Sequence, residues 1–160
     1  MMPTDFNWRN LNVRRARKFE PLIDRFCSTS NQKSLFNYNK DLMVFAAVIG
    51  FSKDKYIELP SASDHIPITL GTYSSDRKDS FIYMLALLAK KDALLLKNEH
   101  LTKAINIFEG YCNGGLTLIQ EWLDSNASDP FGIETIYLKI LDEISEGADK
   151  LESSMDEIVF

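Results

Sequence analysis

The stretch NKDLMVFAAVIGF, residues 39 to 51, constrains this chain more than any other, because residues 42 to 49 are apolar without exception. A helix with one apolar stripe can lie on a surface, but a helix apolar on every side has to be covered on every side. Asn39 or Asp41 offers an N-cap and Gly50 a C-terminal stop. The rest of the chain must therefore wrap this segment. At 160 residues it is long enough to do so as one domain without staples.

The wrapping elements read as mainly helical. Phe19, Leu22, Ile23 and Phe26 recur at helical spacing behind Pro21, which suits a first turn. From Asp79, the residues Phe81, Ile82, Met84, Leu85, Leu88 and Ala89 are expected to face inward, and DALLLKNEHLT continues that helix or forms a short second one. A long helix opens near Thr102, carrying Ile105, Phe108, Tyr111, Cys112, Leu116, Ile119, Trp122 and Leu123. SNASDP is a loop with Asp129 as cap and Pro130 at the first helical position, leading into Ile133, Ile136, Tyr137, Ile140, Leu141 and Ile144. Between the second and third helices, KYIELP and HIPITL flank the turn SASD and predict a small β-hairpin near residues 55–71. The expectation is a mainly α fold: a compact helical domain of about five helices with a small β-hairpin. It divides into a basic N-terminal arm at 1–18, a helical domain at 19–146 and an acidic tail at 147–160, a frayed helix or a mobile tail, whose Leu151, Met155 and Ile158 could dock on a partner.

Two local features break the pattern. Asn113, Gly114 and Gly115 interrupt a strongly amphipathic helix, and each glycine costs about 1 kcal/mol relative to alanine there. Either the chain kinks or another backbone packs close, and a third reading leaves bare backbone beside the Asn113 amide for a partner to contact. The second feature is VRRARKFE, where Arg14, Arg15, Arg17 and Lys18 place four cations in five residues close to Trp8 and Phe19. Such an arm could grip phosphates while a ring stacks, attach to an acidic protein surface, pair with this chain's own acidic tail or serve only as solvated surface, and as exposed surface its charge reversal should leave the fold intact.

Charge is segregated along the chain. Residues 1–60 carry ten Lys/Arg against six Asp/Glu, whereas residues 121–160 carry two against eleven, within a net charge of −5. An acidic whole argues against an autonomous DNA-binding domain. Catalytic signatures are missing too. His65 and His100 have no partner at ligand spacing, Cys27 and Cys112 form no Cys-x-x-Cys pair, and GYCNGGL lacks the lysine and Ser/Thr of a phosphate loop. Neighbouring carboxylates such as Asp142/Glu143 point to different helix faces. We expect no catalytic residues, no metal, no cofactor and no enzyme activity. No leader or spanning segment is evident, which predicts a cytoplasmic protein without membrane contact.

Three stretches taken together, VRRARKFEPLIDRF, KDLMVFAAVIGF and INIFEGYCNGGLTLIQEW, resemble the DNA phosphorothioation (Dnd) system-associated protein four family over roughly residues 12–123. Where the family core reads E-Y-A-N-G-G-L, this chain keeps Tyr111, Asn113, Gly114, Gly115 and Leu116 but has Gly110 and Cys112 around them. The resemblance implies a small accessory protein of bacterial anti-phage defence, working beside enzymes that mark DNA with sulfur and restrict unmarked DNA. On that basis the expected function is a non-catalytic accessory or regulatory subunit acting by protein–protein interaction, with protein subunits of the defence complex as partners and oligomerisation left open. The alternative is a DNA-binding module using Arg14, Arg15, Arg17 and Lys18, and the third a nuclease or hydrolase with an unrecognised site.

Overall fold

The computed structural model describes residues 6–27, 34–60 and 64–156, with side chains to residue 153. Among the described residues are two strands and six α-helices, in the order β1 (Asn12–Ala16), α1 (Glu20–Cys27), α2 (Asn39–Ser52), β2 (His65–Thr69), α3 (Leu70–Ser74), α4 (Asp79–Lys90), α5 (Leu101–Asp124) and α6 (Ile133–Asp156). The mainly helical class with one small antiparallel sheet is as expected. The chain divides into two compact units, Met1–Gln120 and Glu121–Phe160, and α5 runs across the division.

In the first unit α2 is covered on most sides. Leu42, Met43, Val44, Ala46, Ala47, Ile49 and Gly50 are buried, Phe45 and Phe51 are half-buried, and Val48 alone in the apolar run is exposed. Its start departs from expectation: Tyr38 is the N-cap and offers no side-chain cap, with Asn39 and Asp41 already inside the first turn. A second segment is equally enclosed. Residues 107–116 of α5 are buried except for a half-buried Tyr111, and they include the polar Glu109 and Asn113. Phe108 meets the fully buried Tyr73 edge to face at 5.9 Å, and the Tyr73 hydroxyl donates to the Met43 sulfur at 3.2 Å. Burial holds the Tyr73 pKa well above its ordinary value.

The small sheet is not the local hairpin that KYIELP and HIPITL suggested. β2 pairs antiparallel with β1, with Val13 opposite Ile68 and Arg15 opposite Ile66, and residues 55–60 form no strand. Part of what read as an N-terminal arm is thus a strand, alternating Val13 and Arg15 inward with Asn12 exposed. Segment 55–57 satisfies its backbone elsewhere: Lys55 N–H donates to Gly50 O at 2.8 Å and Ile57 N–H to Gly110 O at 3.1 Å. Helices supply what a strand partner would have supplied.

The inward face of α4 is Ile82, Leu85 and Ala86, whereas Met84 and Leu88 are exposed, contrary to the periodicity reading. Lys91 ends that helix in the left-handed region at φ 52°, so the following DALLLKNEHLT makes 3-10 turns and not more helix until Leu101.

In the second unit, α6 starts at Ile133, three residues later than a first-turn Pro130 would place it. Asp129 still serves the helix start from a distance: its Oδ2 accepts from Thr135 N–H at 2.8 Å and from Thr135 Oγ1 at 2.9 Å. Gly132, with φ 74°, makes the turn between them. The helix continues to Asp156, so residues 147–156 take the helical alternative as part of α6, while Ile158 lies outside the described residues.

Candidate functional site

The glycines of α5 are explained by what lies against them. A Cβ on Gly115 would overlap the Ala46 carbonyl oxygen of α2, and a Cβ on Gly50 would overlap the Tyr111 carbonyl oxygen and stand 3.0 Å from Gly115 N. The two backbones therefore cross with no room for a methyl group on either side. On its neighbouring face α5 meets the extended segment 55–57. Gly114 lies under the Lys55 carbonyl, Gly110 lies under the Tyr56 ring, and Asn113 Nδ2 donates to Ile57 O at 3.1 Å. Tyr56 also packs edge to face on Tyr111 at 5.1 Å. The helix does not break at Asn113. Bare backbone at Gly114 and Gly115 is occupied by this chain's own α2 and segment 55–57.

The cations of the basic stretch are distributed over different surroundings. Strand alternation sends Arg14 and Arg15 to opposite sides. Arg14 Nε and Nη2 bind the carboxylate of buried Glu109 at 3.1 and 3.2 Å, and its backbone N–H donates to the same carboxylate at 2.6 Å. The hydrogen bond to Glu109 and its charge raise the Arg14 pKa above the ordinary arginine value. Arg15 is 2 % exposed, one of the largest buried side chains, and its Nη1 donates to Glu20 Oε2 at 2.7 Å while Nε has no partner. Arg14 keeps 39 % of its side chain exposed while bound to Glu109, whereas Arg15 is enclosed, so charge reversal at Arg15 cannot be neutral. Arg17 pairs with Asp64 at 2.7 Å with both side chains exposed, and Lys18 stands 5.0 Å over the Phe19 ring.

One cleft brings two of these groups together. A depression of about 500 Å³ is lined by Arg17, Lys18, Ile57, Glu58, Asp64 and Asn113 among others. Its rim mixes two cations with two carboxylates, so no single sign of charge dominates. Asn113 is 4 % exposed, and its Oδ1 accepts no hydrogen bond.

Sequence reasoning missed Glu109, the buried anion that fixes Arg14, because a lone glutamate in a helix carries no signal of its distant partner. It also missed Lys40, whose buried ammonium donates to Thr72 O at 2.9 Å and pairs with Asp76 at 3.0 Å. Gly110 was legible: with Gly114 it makes a small residue every four positions, a pattern that brings backbones close. Burial pushes the Cys27 thiol up to about 11 and the Cys112 thiol to about 12, so both are protonated and poor nucleophiles near neutrality. Among the described residues no group of three or more His, Cys, Asp or Glu could hold a metal ion, and no helix is long and apolar enough to cross a membrane.

No curated protein and no solved structure matches the chain. A family model does, and it extends past the last stretch that carried the resemblance, through α6. With residues 12–157 matched, the chain belongs to the DNA sulphur modification system-associated protein 4 family.

Proposed function

We propose that this protein is a non-catalytic accessory subunit of a DNA sulphur modification system and acts through contacts with other proteins of that system. Family membership supplies the setting. The observation that favours protein over DNA as the partner is the state of the basic stretch: Arg14, Arg15 and Arg17 each bind a carboxylate of the same chain, on Glu109, Glu20 and Asp64. A phosphate-gripping arm needs cations that can exchange counterions for phosphates, and Arg15 is buried. The negative charge of the whole chain adds to that bias.

The test is purification of the tagged chain from its host with neighbouring genes intact, alongside deletion of the gene. Co-purification of modification or restriction subunits, with loss of the system's phenotype on deletion, is the expected result. Tight duplex binding by the isolated chain, falling steeply with salt, would assign it to DNA instead. An unchanged phenotype on deletion would remove the accessory role.

A further inference from the structure

The stop of α4 leaves a notch beside α5. Lys91 turns the chain out of α4, and a 3-10 turn over Ala93–Leu96 follows at once, capped by the Asp92 carboxylate, which accepts the Leu94 backbone N–H at 3.0 Å. On α5, Lys103, Asn106 and Ile107 stand at helical spacing, so one side of that helix presents all three. A depression of about 490 Å³ is lined by these three together with Lys90, Asp92 and Leu95. Leu95 and Ile107 are buried and make its apolar floor, while Lys90, Lys103 and Asn106 are exposed around it. Leu94 is 51 % exposed and Leu96 50 %, on either side of Leu95 in the chain.

Charge and shape together decide what fits. Among the described residues neither Lys90 nor Lys103 meets a carboxylate in an ion pair. Residues 90–103 carry four lysines against Asp92 and Glu99, although the whole chain has a net charge of −5. Asp92 serves its cap, and Glu99 stands 3.5 Å from His100. A carboxylate arriving at the rim therefore meets ammonium groups that no side chain neutralises. The floor asks for an apolar side chain, which a phosphate backbone does not carry, and a flat lipid surface does not fill a concave site. An acidic protein segment with an apolar anchor supplies both parts.

We propose that the notch between the end of α4 and α5 is the docking site for a short acidic segment of a partner protein, whose apolar anchor covers Leu95 and Ile107 while its carboxylates pair with Lys90 and Lys103. This deepens the accessory reading above and rests on it for the partner's origin, but the notch's chemistry can be measured without the host system. The probe is a labelled synthetic peptide of about 12 residues with one central leucine and Asp/Glu flanks, titrated against the full chain. It should bind about tenfold or more tightly than the same peptide with Lys flanks or with serine for leucine, and weaken about tenfold between about 50 and 500 mM salt. Lys90→Glu and Lys103→Glu should each weaken binding about tenfold without moving the melting temperature, because both side chains are exposed and unpaired. Arg77→Glu, the same charge change at an exposed residue before the start of α4, should alter binding by about twofold or less. Undiminished binding by both lysine variants would overturn the proposal, as would an equal loss in Arg77→Glu, which would make the attraction a property of overall charge. Equal binding of the leucine-free peptide would overturn it too, leaving a general anion patch open to DNA or lipid. So would sedimentation of the free chain as a dimer that Lys103→Glu dissociates, because the notch would then belong to a second copy. Failure of the acidic peptide to bind would remove the notch, whereas the accessory role stands or falls on the deletion phenotype.

Discussion

Single residues in this protein are fixed by what they touch, and neighbours in sequence can have opposite tolerances. Gly115 crosses the Ala46 carbonyl and Gly114 the Lys55 carbonyl, neither of which is the end of a flexible side chain. Gly115→Ala and Gly114→Ala should each destabilise by about 1–3 kcal/mol in chemical denaturation, since α2 must part from α5 to admit the first methyl group and segment 55–57 must lift from α5 to admit the second. Wild-type stability in both would mean that neither α2 nor segment 55–57 packs tightly on α5. The basic stretch gives the sharper contrast. Arg15→Glu places a carboxylate without a cation in the core, next to the part-exposed Glu20, and should cost about 3–5 kcal/mol, the scale of leaving a buried charge uncompensated. Arg17→Glu, in an exposed pair with Asp64, should change stability by about 1 kcal/mol or less. Urea midpoints of the two variants settle it, and equal midpoints would return Arg15 to the surface.

At the scale of elements, α2 and the middle of α5 hold the first unit together through their buried sides. Leu42 is 1 % exposed, so Leu42→Ala should cost about 2–5 kcal/mol. Phe45 is only half-buried, packed against Phe36 with ring centroids 5.5 Å apart, so Phe45→Ala should cost less than Leu42→Ala although it removes more atoms. Thermal melting of the pair checks the order, and a reversed order would rotate α2 about its axis. That α2 is a buried helix was legible in residues 42–49, because an all-round apolar pattern has one solution. Which side of it retained exposure was not, since Val48 and Phe45 are as apolar as their neighbours. Similarly, Met84 and Leu88 in α4 fit the inward stripe by spacing but are exposed. A periodic pattern constrains the helix to one broad face and leaves its rotation to the packing.

For the molecule as a whole, cooperative burial is readable through the two thiols. Cys27 and Cys112 are raised to about 11 and 12 from an ordinary 9.0, chiefly by desolvation. A thiol pKa raised on folding means that its contribution to stability is fully present below about pH 9 and is lost as pH rises through the folded value. At pH 8 Cys112 should therefore resist alkylation at a rate set by unfolding, and both cysteines should react promptly in denaturant. Rapid labelling of Cys112 in the native protein would contradict its enclosure.

By itself the sequence determined the helical class, the buried status of α2, the face of α1, the anomaly at Asn113 to Gly115 and the likeness to its family. All of these rest on local periodicity, glycine content or motif order, which are written along the chain. Only the tertiary structure decided that β2 pairs with a strand some fifty residues upstream, that segment 55–57 lies along α5, and that Arg14 and Arg15 serve Glu109 and Glu20. A cation run reads as solvated surface because water is the default partner of charge. Burial reverses that default when a carboxylate from a distant element stands within hydrogen-bond reach, and which carboxylate stands there is a property of the packed chain.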